Sequence, residues 1–193
     1  MRFTAFFGAG LALLLLQSNI FRLLLLFERV VSALLIALHL ASHEVHVPGL
    51  VPQLVLPLIV YMGVHEYSLA RGASVAFVLG YLTDLVGIAP VGLYTLTYVA
   101  IFVLARGAGV RLAAQTRWMQ VVLALAFTLV HSVMILILVA IFWKERDGWV
   151  PRMLTPMTLP HVVGTGAVAP FVFQLAQRIH AATSGGAREQ GPS

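Results

Sequence analysis

Two ionisable side chains lie inside otherwise apolar stretches of this sequence, and they are the residues most able to do chemistry. Asp84 follows the segment Gly80-Tyr81-Leu82-Thr83, and His131 lies midway along a run without formal charge from about Trp118 to Trp143. An acid or an imidazole is costly inside a membrane helix, and it marks an ion or proton pathway, a partner contact or a structural hydrogen bond. These two residues are therefore the first candidates for function.

Asp84 precedes a predicted tight turn, Gly87-Ile88-Ala89-Pro90, near the C-terminal end of a helix. The helix dipole repels a carboxylate there, but the turn brings the next helix N-terminus close. The carboxylate can then accept hydrogen bonds from free N–H groups around Val91 and Gly92. Capping, a partner contact, and proton or ion coupling are the three hypotheses, and we expect capping. We expect His131 to be a neutral imidazole bonded to a neighbouring helix.

Other patterns give no support to catalysis or to metal binding. The sequence has no paired acids, no phosphate-cradling loop and no Ser, His and Asp order that suggests a triad. His43, Glu44 and His46 resemble a metal cluster, but they belong to a predicted polar turn from Ser42 to Gly49. We therefore expect neither an enzyme nor a cofactor.

The composition identifies the class of protein that must position these residues. Of 193 residues, 60% are hydrophobic and only 10% are charged, whereas soluble domains contain roughly 25% charged residues. The net charge of +5 comes from scattered basic residues, without the basic runs of nucleic-acid-binding proteins. Cysteine is absent. We predict an all-α polytopic membrane protein that contacts the lipid bilayer and binds no nucleic acid.

The segment from Arg71 to Arg106 predicts a transmembrane hairpin of two helices. Its first helix carries a stripe of small residues at four-residue spacing, which allows close approach of another helix in lipid: Gly72, Ala76 and Gly80. Its second helix carries an aromatic stripe at the same spacing: Tyr94, Tyr98 and Phe102. Helix packing is the expected role of both stripes, and a ligand groove is the alternative.

The hairpin supplies the third and fourth of six predicted core helices. The other four are predicted at 1–19, 52–67, 118–143 and 158–179, the last one broken at Pro170, with a charged loop at 144–152. Residues 20–47 either span the membrane, with a seventh helix at 23–41, or lie at the interface, or extend the first helix. We predict one transmembrane domain over 1–182 and a flexible polar tail over 183–193.

Basic residues predict the orientation. The link 106–117 contains three arginines and no acid, which is typical of a cytoplasmic loop. In the six-helix topology, seven of the twelve basic residues lie on this side, together with the C-terminus: Arg2, Arg71, Arg106, Arg111, Arg117, Arg178 and Arg188. The turn at 87–90 and the loop at 144–152 are then outside.

The run from Gly80 to Tyr94, GYLTDLVGIAPVGLY, resembles the G-x-L-x-D-L-x-x-x-x-P-x-G segment of the MreD family of rod shape-determining proteins. Leu16-Gln17-Ser18, Pro52 with Leu54, and Ala169-Pro170-Phe171 are similar to further features of that family. Two departures concern the outer face: Gln53 replaces a usual acid, and residues 20–47 are longer and more apolar than the usual first outer loop.

The resemblance implies a multi-pass protein of the bacterial inner membrane that binds MreC. It would also help to couple cytoplasmic MreB filaments to elongation-specific peptidoglycan synthases, and so contribute to control of cell shape. The resemblance further implies a helical core similar to the substrate-binding component of energy-coupling-factor transporters. The alternative function is a vitamin-type binding subunit of a transporter, for which the sequence offers the polar groups of Asp84, Thr95, Thr97 and Tyr98.

Overall fold

The computed structural model describes residues 4–20, 52–65, 68–86, 90–108, 116–142 and 149–185. All regular structure in these ranges is helical, which confirms the all-α prediction of six helices. They are α1 (Thr4–Ile20), α2 (Val55–His65), α3 (Leu69–Val86), α4 (Leu93–Gly107), α5 (Arg117–Phe142) and α6 (Trp149–Gly185). The possible seventh helix at 23–41, the polar turn at 42–49, most of the 106–117 link and tail residues 186–193 lie outside the described residues.

Among the helices that the structure describes, two are long and apolar enough to cross a membrane, namely α3 and α5. The predicted fifth helix agrees with α5 to within one residue at each end. Large apolar side chains are exposed on the outer faces of α3, α4, α5 and α6, as expected of surfaces that face lipid. They include Phe77, Tyr81, Leu96, Val103, Val122, Leu129, Ile137, Val163 and Phe171.

The short helix α2 forms the centre of the bundle. Every residue from Val55 to Val64 is buried, and α2 contacts α3, α4, α5 and α6. Eleven residues extend about 16 Å, whereas the hydrocarbon core is about 30 Å thick, so α2 is too short to span it alone. The prediction that this helix begins at Pro52 was wrong. Pro57 instead occupies the first turn, where a missing N–H removes no helical bond.

The hairpin α3–α4 and the pair α5–α6 pack around α2, and α1 contacts both α2 and α3. Phe6 of α1 lies beside Tyr61 of α2, with ring centroids 6.3 Å apart. Gly10 of α1 fits against the side chain of Leu79 on α3, where a Cβ would overlap the leucine. These contacts hold α1 against the central helix α2 and against α3, the helix that carries Asp84.

The last helix departs most from the sequence prediction. It begins at Trp149 instead of 158, so residues 149–152 are helical and do not belong to the predicted loop, and it continues through Pro170 to Gly185. Ala169, Val172 and Phe173 are all buried on either side of this proline. Proline removes one helical hydrogen bond, and membrane helices tolerate it where neighbouring helices pack against the chain.

Candidate functional site

The carboxylate of Asp84 caps the N-terminus of α4. Its Oδ2 accepts hydrogen bonds from the backbone N–H of Gly92 at 2.9 Å and of Thr95 at 3.0 Å. The hydroxyl of Thr95 donates to the same oxygen at 2.6 Å, and the N–H of Tyr94 donates to Oδ1 at 2.8 Å. Because α4 begins at Leu93, Tyr94 and Thr95 are the two positions whose N–H groups a capping side chain normally satisfies. Asp84 supplies this cap from the preceding helix.

This arrangement explains how a charged group is tolerated at an unfavourable helix end. Asp84 is 2% exposed and lies two residues before the C-terminus of α3. The positive end of the α4 dipole offsets the repulsion from the α3 dipole, and hydrogen bonds to a charged acceptor contribute roughly 1.5–3 kcal/mol each. A carboxylate offers about four acceptor positions, so four donors occupy most of its capacity. The carboxylate therefore has little acceptor capacity left for a cation.

The turn between the two helices depends on Gly92 and Pro90. Gly92 has φ +102° and ψ −16°, which is the left-handed region that side chains rarely adopt. A Cβ there would meet nothing within 4 Å, so the requirement is conformational and does not come from crowding. The carbonyl of Pro90 accepts the N–H of Leu93 at 3.2 Å. The turn thereby delivers the α4 N-terminus to Asp84.

The small-residue stripe on α3 packs against α4, its partner in the hairpin. A Cβ on Gly80 would lie 2.6 Å from the Cα of Thr95 and 2.8 Å from the carbonyl oxygen of Tyr94, so the two backbones are in direct contact. One turn and two turns earlier, Ala76 is fully buried and Gly72 accommodates the ring of Phe102. The stripe therefore sets the separation of the two helices.

His131 of α5 lies against the aromatic stripe of α4. Its ring centroid is 5.9 Å from that of Tyr94 and 5.6 Å from that of Tyr98. Its Nε2 is 3.5 Å from the hydroxyl oxygen of Thr97, and the residue is 1% exposed. His131 thus joins α5 to the hairpin on the side opposite the lipid-exposed residues.

Sequence reasoning missed two features near this hairpin. A Cβ on Gly63 of α2 would lie 2.7 Å from the Cβ of Ala105 and 2.9 Å from the carbonyl oxygen of Phe102, so α2 also approaches the α4 backbone closely. A lone glycine inside an apolar helix is the signal that could have indicated it.

The second missed feature is the cap of α2. The Oε1 of Gln17 on α1 accepts the N–H of Leu54 at 2.9 Å, and the hydroxyl of Thr165 on α6 accepts the N–H of Gln53 at 3.0 Å. Polar side chains from two helices that are distant in sequence therefore accept hydrogen bonds from the backbone N–H groups that precede α2. Within the described residues, no group of three or more His, Asp or Glu side chains is placed to hold a metal ion.

One comparison with known proteins gives a match. The family model described as rod shape-determining protein MreD matches residues 16–179, a range that contains the end of α1, the hairpin and most of α6. No curated protein and no solved structure matches the chain.

Proposed function

The chain belongs to the MreD family of rod shape-determining membrane proteins, and we propose that it is a non-catalytic component of the bacterial cell-elongation complex. In this role it binds MreC in the inner membrane. It helps to couple cytoplasmic MreB filaments to the elongation-specific peptidoglycan synthases, and so contributes to cell shape. The family match over residues 16–179 is the observation that carries this proposal.

The geometry of the hairpin supports a scaffold more than an ion-coupled machine. Asp84 is the one acid inside the hairpin, and both of its oxygens accept hydrogen bonds from α4. Backbone contact at Gly80 and the left-handed Gly92 make the two helices a closely joined unit. A rigid unit with exposed apolar side chains such as Phe77 and Tyr81 suits a protein that presents a fixed surface to a partner helix.

The vitamin-binding alternative loses most of its candidate polar groups. Asp84 and Thr95 bond each other at 2.6 Å, and the hydroxyl of Thr97 donates to the Leu93 carbonyl oxygen at 2.9 Å. A ligand site needs several convergent polar groups that are available to the ligand. We therefore favour the scaffold. A helical core similar to that of energy-coupling-factor components is also part of the proposal, and an experimental structure compared with such a component tests it.

Cell shape provides the test of this function. In the bacterium that encodes the chain, depletion of the protein is expected to convert rods into rounded cells. Re-expression of the wild-type chain should restore the ratio of cell length to width. Rods that keep their shape after depletion would contradict the proposal. A Gly8→Ala variant, altered at an exposed and uncrowded position, serves as the matched control and should restore shape fully.

A further inference from the structure

The exposed face of α3 carries polar side chains within the length of the helix, whereas that of α5 does not. Ser74 and Tyr81 of α3 are both exposed, Tyr81 by 43%. In α5 the polar side chains that follow Arg117 are all buried: Gln120, Thr128, His131 and Ser132. The exposed positions of the same stretch, such as Leu129, are apolar, which suits a surface that faces lipid. The mixed face of α3 therefore indicates a different neighbour.

The hydroxyl of Tyr81 lies far from both ends of α3, and none of the described residues forms a hydrogen bond with it. Tyr81 follows Arg71 by ten residues, which is about 15 Å along the helix axis. Long side chains of a helix lean towards its N-terminus, so this hydroxyl points away from the turn and towards the midpoint of α3. Headgroups and water lie outside a hydrocarbon core about 30 Å thick, and they supply no acceptor at this depth. Because an unpaired polar group is strongly destabilising in hydrocarbon, a neighbouring helix is the source of an acceptor.

A second copy of the chain does not fit this face. Two copies share one orientation in the membrane, so their α3 helices would run parallel and bring Arg71 of one copy beside Arg71 of the other. Arg71 is exposed, whereas Asp84, the one acid in the described ranges, is buried and bonded to α4. No acid in the described part of the chain therefore offsets the repulsion between the two arginines.

We infer that the exposed face of α3 binds one transmembrane helix of a partner protein, and that this helix offers a hydrogen-bond acceptor to the Tyr81 hydroxyl. The face consists of five exposed residues at alternating spacings of three and four, as in the seam between two packed helices: Arg71, Ser74, Val78, Tyr81 and Leu85. Ser74 is small and its hydroxyl already donates to the carbonyl oxygen of Ala70 at 2.7 Å, so a partner backbone can approach closely there. The inference rests on the proposed function, in which MreC is the partner.

Photo-crosslinking of the full-length chain to MreC in lipid nanodiscs locates this surface. A benzoylphenylalanine at position 81 is compared with one at position 129, because Leu129 is 52% exposed on α5 and provides a matched control. We expect a crosslink from position 81 to the transmembrane helix of MreC and none from position 129. A crosslink to MreC from position 129 instead would overturn the inference. Crosslinks from position 81 to lipid alone, to a second copy or to residues 21–51 of the same chain would overturn it too.

Removal of the hydroxyl alone tests the hydrogen bond. Tyr81→Phe keeps the ring at an exposed position, so the fold should be unchanged, as thermal unfolding verifies. We expect its Kd for MreC to be about three to ten times that of the wild type, the effect of one hydrogen bond, whereas Leu129→Ala should bind as the wild type does. Equal affinities of Tyr81→Phe and wild type would refute the inference and leave the proposed function intact. A wild-type chain that binds no MreC would contradict the proposed function, and the inference with it.

Discussion

Thr95 donates both its backbone N–H and its hydroxyl to one oxygen of Asp84, so a single residue of α4 provides half of the bonds that hold the carboxylate. The acid lies 11 positions earlier in the chain, on the other helix of the hairpin. This pairing makes the end of α3 part of the cap of α4. Substitutions of Asp84 can therefore test whether its carboxylate has a structural role, as this cap, or a functional role that depends on its charge.

Replacement of Asp84 should show a graded loss of stability. In Asp84→Asn, the amide oxygen can keep the three bonds to Oδ2, while the amide NH₂ faces the N–H of Tyr94 and loses that bond. In Asp84→Leu all four donors lose their acceptor, and each one left unsatisfied costs about 1–3 kcal/mol. We expect the melting temperature to fall modestly for Asn and much further for Leu. A well-folded Asn variant that fails to support cell shape would instead make the charge functional.

The contact between Gly80 and Thr95 predicts that replacement of Gly80 by alanine destabilises the protein, whereas the same replacement at the uncrowded Gly8 does not. Gly80→Ala should destabilise the protein, because its Cβ would overlap the α4 backbone and overpacking costs about 1–3 kcal/mol. Gly8→Ala should be neutral or stabilising by up to about 1 kcal/mol, because the site is exposed and alanine favours helix. Thermal unfolding in detergent compares the two. Equal melting temperatures would show that α3 and α4 are not in backbone contact.

Gly92 should resist substitution for a conformational reason. Its φ of +102° costs a residue with a Cβ about 1–2 kcal/mol, although space is available. Gly92→Ala is therefore expected to lower stability by about this amount, and Gly92→Asn should lower it less because asparagine tolerates this region better. Gly107→Ala, at another uncrowded glycine without a positive φ, is the control. A Gly92→Ala protein as stable as the control would contradict the left-handed turn.

The proposed orientation can be tested by cysteine labelling, since the chain has no native cysteine. A cysteine at Gln115, in the arginine-rich link, should be protected from a membrane-impermeant thiol reagent in intact cells and labelled after permeabilisation. A cysteine at Val91, which is 68% exposed beside the turn, should be labelled in both cases. The reverse pattern would invert the topology.

Local patterns in the sequence predicted the hairpin, and non-local contacts explain what they missed. The turn at Pro90 and Gly92 brings Asp84 to the next helix whatever the rest of the chain does, so the cap could be expected from adjacent residues. The start of α2 could not, because its cap comes from Gln17 and Thr165, far away in sequence. The prediction of a break at Pro170 failed for a similar reason, since proline propensity is local whereas burial of the surrounding helix is a tertiary effect.

The binding of MreC is the most direct measurement of the central proposal. The purified chain, reconstituted in nanodiscs, should retain full-length MreC through size-exclusion chromatography. The Gly8→Ala control should retain it equally, because exposed position 8 meets no neighbouring atoms. Thermal unfolding of the same samples establishes that the chain is folded. MreC must itself be monodisperse under the same conditions. If it is, a folded wild-type chain that does not retain MreC would contradict the proposed role.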